Sequence, residues 1–275
     1  MKRVRPDVSR PTVLVFAGAD PSGGAGIAAD ILAVAAQGAH ALPVITALTV
    51  QDNDRVYEVL PVDCELLRRQ VLALMGKVEI HAVKIGIPGS RSNAVAIAGL
   101  VGQLRRQHPG LPVVLDPVLA SGAGDALARD DPREALTPLL ALASLVVPNL
   151  PEARAICGTG ASISEQALRL RARGCADVLI TGGHAEGDTV VNRWFGTAGE
   201  REWRWPRLPA EFHGSGCTLA AAIAARLACG DAMEQALGTA QAYCHRALED
   251  AFSIASGQRI PLRSFHPVPD FRRSI

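Results

Sequence analysis

Thr12-Val13-Leu14-Val15-Phe16-Ala17, running into Gly18-Ala19-Asp20-Pro21-Ser22-Gly23-Gly24-Ala25-Gly26, decides the fold. The first six residues form an unbroken apolar, β-prone run, the mark of a strand buried on both faces. The glycine-rich loop follows, then a small-residue helix over Ile27–Gln37 with Gly38 as its C-terminal cap. Strand, tight loop and helix in that order open an α/β fold with a parallel sheet.

The alternation continues along the chain. Strands are expected at Leu42–Val50, Ala82–Ile85, Pro112–Leu115, Leu145–Val147 and Val178–Ile180. Helices are expected at Leu66–Met75, Asn93–Gln107, Ser164–Arg173, Cys217–Cys229 and Ala232–Ala251. Between about 189 and 206, Thr189-Val190-Val191 and Trp203-Arg204-Trp205 flank Gly196 and Gly199, as in an antiparallel hairpin. A three-layer α/β/α architecture results, with a mostly parallel central sheet and helices on both faces. Residues 1–11 are expected to be a flexible N-terminal segment and 12–275 a single domain.

Composition narrows the function. The 275 residues are 48% hydrophobic and 20% charged, which excludes a largely disordered chain. Net charge is +1, so neither nucleic acid nor an anionic membrane has an electrostatic footprint to bind. No apolar stretch approaches the roughly 20 residues of a membrane span. The six Cys form no C-x-x-C pair, and free thiols in the cytoplasm are expected. Lys occurs only at positions 2, 77 and 84, against 25 Arg.

In open α/β sheets, ligands bind beyond the carboxyl ends of the strands. Those ends carry Gly18 and Asp20, Gln51, Lys84 with Gly86, Asp116, Asn149 with Glu152, and Thr181 with Gly183. The glycine loop lacks the G-K-[ST] of a Walker A motif. It reads either as close helix–strand packing or as close backbone approach to a flat ligand, with Asp20 and Asp30 aimed into the site. Asn149 and Glu152 either cap and open a helix or stand near a Mg²⁺-bound phosphate with Asp116.

The segment Phe212-His213-Gly214-Ser215-Gly216-Cys217-Thr218 opens a helix of small residues. Backbone N–H groups of Gly214, Ser215 and Gly216 can converge there on an anion, aided by the helix N-terminus. Cys217 sits in the first turn, where a thiol pKa tends to fall. It is either a candidate base for an attacking hydroxyl or one more small buried Cys. His213, His184 and His245 are not at metal-ligand spacing. Trp194, Trp203 and Trp205 are expected to pack the hairpin.

Together, AGADPSGGAG (17–26), VITALTVQ (44–51), VKIG (83–86), VLDPV (114–118), PNLPEA (148–153), GGH (182–184) and HGSGCTLAAAIA (213–224) resemble the bacterial hydroxymethylpyrimidine/phosphomethylpyrimidine kinases of thiamine biosynthesis, within the ribokinase-like superfamily. The resemblance covers about residues 12 to 250. It implies a cytoplasmic homodimer that uses ATP and Mg²⁺ to phosphorylate 4-amino-5-hydroxymethyl-2-methylpyrimidine twice. Gln51 would read the pyrimidine edge with its amide. Gly18, Asp20, Asp30 and Ile87 would complete the substrate pocket. Cys217 stands where sugar-kinase relatives carry a catalytic Asp, with Gly214, Ser215 and Gly216 as the anion hole. Lys84, Asp116, Asn149, Thr181, Gly183 and Thr218 would meet ATP and its phosphates, with Asp116 and Glu152 on the metal.

The sequence departs from the family pattern at four places. Thr181 stands where a Lys commonly precedes Gly-Gly-His, and Ala120-Ser121-Gly122 where Ala-Lys-Ser-Gly is common. Ile87 replaces a Met and Ala28 a Gln. The first two changes remove cations from the phosphate region and predict a weaker second phosphorylation, onto the monophosphate. Two other functions compete: a pyridoxal kinase of the same fold, and a non-catalytic pyrimidine sensor.

Overall fold

The computed structural model describes residues 9–120, 124, 125, 127 and 132–264. The expected flexible segment lies largely outside the described residues, as do Ser121 and Gly122. One nine-stranded sheet, in the order β3-β2-β1-β4-β5-β6-β7-β8-β9, runs through the molecule. Its parallel centre comprises β1 (Thr12–Ala19), β2 (His40–Gln51), β4 (Ala82–Ile85), β5 (Val113–Leu115), β6 (Leu145–Val146) and β7 (Asp177–Ile180). Antiparallel strands close both edges: β3 (Val56–Pro61) on β2, and β8 (Thr189–Gly196) with β9 (Gly199–Pro206) on β7.

Strand β1 divides the two cores by alternation. Leu14 and Phe16 face one side, where α2 (Cys64–Met75), α3 (Arg91–Gln107), α4 (Pro132–Leu140), α5 (Leu150–Cys157) and α6 (Ile163–Arg171) cover the sheet. Val13, Val15 and Ala17 face the other, under α1 (Gly26–Ala36), α7 (Ser215–Ala228) and α8 (Met233–Glu249). This is why the strands read as continuous apolar runs. Helix α7 packs between α1 and α8, and Ala220, Ala221, Ala222, Ala224 and Ala225 are fully buried on it. Small side chains let its backbone approach the sheet closely. Its N-terminus therefore arrives directly above the strand ends.

From β1 the chain crosses outward to β2 and returns to β4 on the opposite side of β1. The crevice between β1 and β4 is thus a topological switch point, where ligands of open α/β sheets bind. Two elements go beyond the periodicity reading. Strand β3 is a half-exposed edge, and Pro138 interrupts the helical pattern of α4. Among the described residues, no helix is long and apolar enough to cross a membrane.

Candidate active site

A cleft of about 660 Å³ opens above the switch point. That volume suits a small-molecule site. Its walls bring together Gly18, Asp20, Gln51, Lys84, Ile87, Asp116, Asn149, Glu152, Thr181, Gly183 and the Gly214–Cys217 turn. Asp30 and Thr218 do not reach it. Asp30 lies on the buried face of α1, and Thr218 is buried with its hydroxyl donating to the Gly214 carbonyl at 2.7 Å. The expectation that Asp30 points into the cleft is therefore corrected. Its partner is Lys84, whose Nζ lies 2.8 Å from Asp30 Oδ2. Neither side chain contacts solvent.

The cleft floor is built from two helix starts. Ala25 and Gly214, the N-terminal caps of α1 and α7, offer no side-chain cap. The first N–H groups of both helices are thus left for other partners. The start of α1 faces Cys217, where the Gly26 backbone favours the thiolate. Gly214 holds φ +77°, and a side chain there would collide with the Gly24 carbonyl. Gly18 keeps the cleft wall thin: a Cβ would stand 2.6 Å from Ile87 Cδ1.

Cys217 is half-buried at this floor. Burial pushes its thiol up to about 12, outweighing the Lys84 charge and the Gly26 N–H that favour the thiolate. The expectation of a lowered thiol pKa is reversed here, because desolvation exceeds the pull of the helix end. The Asp116 carboxyl stands close enough for it and the thiol to act on each other's ionisation. Burial also raises Asp116, against the pull of Lys84 and this thiol. Glu152 is pushed up to about 8, first by burial and then by the Asp116 charge.

Both readings of Asn149 and Glu152 hold in part. They form a reciprocal cap on α5: Asn149 N–H donates to Glu152 Oε2 at 2.8 Å, and Glu152 N–H to Asn149 Oδ1 at 2.9 Å. Both also line the cleft. Asp116 Oδ2 is buried without a hydrogen-bond partner. Two neighbouring carboxylates that repel each other, one with an orphaned oxygen, fit a divalent cation. Among the described residues no cluster of three or more His, Cys, Asp or Glu forms a closed metal cage.

Asp20, expected to aim into the site, lines the cleft but spends its carboxylate on its own loop, while His213, Trp205 and Arg207 escaped the sequence reading as contributors. The Asp20 carboxylate turns into its own loop and accepts from Ser22 N–H at 2.8 Å, Ser22 Oγ at 2.9 Å and Ala25 N–H at 2.7 Å. His213 Nε2 joins it at 2.8 Å, tying the glycine loop to the turn that starts α7. Burial alone would raise Asp20, but bonds from His213, Ser22, Gln51 and Ala25 hold it well below the usual carboxylate range. Gln51 lies beside Asp20 in the cleft wall. Trp205 does more than pack the hairpin: it lines the cleft, its ring 5.0 Å from that of His245. Arg207 donates to the carbonyls of Gly183, Ala185 and Gly187 and shapes the loop after β7.

The profile of the phosphomethylpyrimidine kinase family matches residues 20–262. The chain belongs to that family. It is 40% identical over 263 residues to the hydroxymethylpyrimidine/phosphomethylpyrimidine kinase of Rhizobium meliloti, covering 92% of this chain and 96% of that protein. The phosphomethylpyrimidine kinase of Clostridium difficile superposes with a TM-score of 0.72 at 29% identity, covering 86% of this chain and 98% of that one. The pyridoxal kinase of Staphylococcus aureus, solved with pyridoxal, shares the fold with a TM-score of 0.82 at 23% identity, over 95% and 96% of the two chains. As a phosphomethylpyrimidine kinase family member the protein is a phosphotransferase with the ribokinase-like fold.

Proposed function

We propose that the protein transfers a phosphoryl group from ATP to the hydroxymethyl group of 4-amino-5-hydroxymethyl-2-methylpyrimidine, and then a second to the monophosphate. One observation carries the reading: Cys217, at the meeting of two helix starts, shares a single cleft with the Gln51 amide on one side and Asp116, Asn149 and Thr181 on the other. An amide offers a donor and an acceptor side by side, as an aminopyrimidine edge requires.

Phosphoryl transfer is mainly positioning and charge stabilisation. The N–H groups at the starts of α1 and α7 face the charge that spreads over the transferred group, with Lys84 behind them. Cys217 is a neutral thiol and a poor base in the resting enzyme. In a loose transition state the alcohol loses its proton late, when it has become strongly acidic. The proton passes to Cys217 Sγ as the thiol proton shifts toward Asp116. Asp116 and Glu152 are the residues that would hold Mg²⁺, which supplies neutralisation of phosphate charge. A cytoplasmic homodimer belongs to the same reading.

The test is ADP release by purified protein with Mg-ATP and either the hydroxymethylpyrimidine or pyridoxal. A higher kcat/KM for the pyrimidine is expected. A higher value for pyridoxal would make this a pyridoxal kinase, and no ADP with either would make it a sensor.

A further inference from the structure

The C-terminal segment after α8 sends one charged side chain into the molecule. Arg263 is 3% exposed. Its backbone is pinned: Tyr243 Oη donates to the Arg263 carbonyl at 3.0 Å, and Leu262 N–H to the Ala247 carbonyl at 2.9 Å. Its Nη2 donates to the Gly24 carbonyl at 2.6 Å, and its Nε to Thr218 Oγ1 at 2.9 Å. A longer contact of 3.5 Å joins Nη2 to the Gly214 carbonyl. None of these partners is a carboxylate. The Asp30 charge acts on it through space, but its hydrogen bonds go to two backbone carbonyls and one hydroxyl.

What the guanidinium touches gives an account of it. Gly24 lies two residues before α1, and its carbonyl sets the plane of the peptide carrying the Ala25 N–H. Gly214 caps α7, and its carbonyl sets the plane carrying the Ser215 N–H. That carbonyl is held from three sides, by Thr218 N–H at 3.0 Å, by Thr218 Oγ1 and by Arg263. With Nη2 on both entry carbonyls and Nε on Thr218 Oγ1, the planar guanidinium ties together the entries of both helices that meet at Cys217. A lysine ammonium has no such fork.

We infer that Arg263 is a positioning residue for phosphoryl transfer: it locks the Gly24 and Gly214 carbonyls so that the glycine loop, whose Ala25 N–H is held by Asp20, and the Ser215 N–H that starts α7 keep their places at the floor. This rests on the reading of that turn as the phosphoryl-binding floor. Arg263 stays behind the floor and does not touch substrate. Losing an aligned donor in such a floor typically lowers kcat by about 10²–10³-fold. Misaligning two starts at once is expected to fall in that range.

The test uses Arg263→Lys and Arg263→Ala in the full chain, with three readouts. First, kcat per folded molecule is expected to fall more than threefold in both, with KM for the pyrimidine changed less than threefold. Second, millimolar methylguanidinium is expected to raise kcat of Arg263→Ala and leave the parent unchanged; a purely structural arginine would show lower thermal stability without this rescue. Third, hydrogen exchange by mass spectrometry is expected to quicken in peptides spanning 24–26 and 214–218 together, with α3 unchanged. Kcat within threefold of the parent in Arg263→Lys overturns the inference. If the parent itself releases no ADP, the kinase reading has failed, and hydrogen exchange decides the positioning role alone: unchanged exchange in either loop overturns it. If Arg263→Ala does not fold, Arg263→Lys carries the kinetic and exchange tests.

Discussion

Lys84 Nζ and Asp30 Oδ2 stand 2.8 Å apart with no solvent around either side chain. Burial raises the Asp30 carboxyl, and the Lys84 charge opposes that rise. Removing one partner of such a pair costs about 3–5 kcal/mol, because a bare charge is left in the interior. Asp30→Asn should lower the unfolding free energy by that order. The double change Asp30→Leu with Lys84→Met should recover most of the stability in urea titrations and leave kcat depressed. Full recovery of kcat would show that Lys84 is only a packing element.

Cys217→Ala should lower kcat by about 10²–10⁴-fold, the range for a group that moves a proton in the transition state. Pyrimidine affinity, read by calorimetry, should change little. The raised thiol adds a second expectation: iodoacetamide should label Cys217 slowly at pH 7.5 and faster as pH climbs toward about 12. Rapid labelling at neutral pH would mean that the thiol is ionised and that the proton route through Asp116 is wrong.

Asp20 sets an acid-side dependence. Its carboxyl is held below its ordinary value in the folded chain. The stabilisation is thus complete above the unfolded pKa, about 3.9, and is lost as pH falls through the lower folded value. Asp20→Asn should cost on the order of 2 kcal/mol at pH 7. The gap to the parent in thermal melts should narrow below pH ~4. A gap independent of pH would assign the loss to packing.

The second phosphorylation should be the weaker one. Thr181, an uncharged residue, lines the phosphate side of the cleft, and Lys84 is committed to Asp30. The alcohol should show a higher kcat/KM than its monophosphate. Thr181→Lys should raise the monophosphate value by roughly tenfold, in line with one added charge-assisted hydrogen bond. Equal values in the parent would remove the argument from lysine scarcity.

How much was legible in the sequence follows from distance along the chain. Strand β1, its loop and α1 were readable because apolar runs and glycine are local signals. Strand β3 was not, because Tyr57 and Glu58 face out and only Val59 is buried. Strand-end logic brought most site residues into one cleft without any knowledge of their partners. It failed for Asp30, because a carboxylate one turn into a helix can face the core as well as the ligand. The Asp20–His213 bond links residues 193 positions apart, and no periodicity encodes such a pairing. Arg263 is one of several arginines after α8, in an irregular segment, with a partner 239 residues away.

That last span bears on how the enzyme comes into being. A growing polypeptide leaving the ribosome can pair β1 with β2 early, and α1 can settle on them. Asn53, at the tip of the β2–β3 turn, still waits for the carbonyls of Ser256 and Gln258, and Gly24 waits for Arg263. Contacts this distant form late. The β2–β3 turn and the glycine loop should therefore gain their final order only when residues 256–263 dock on them.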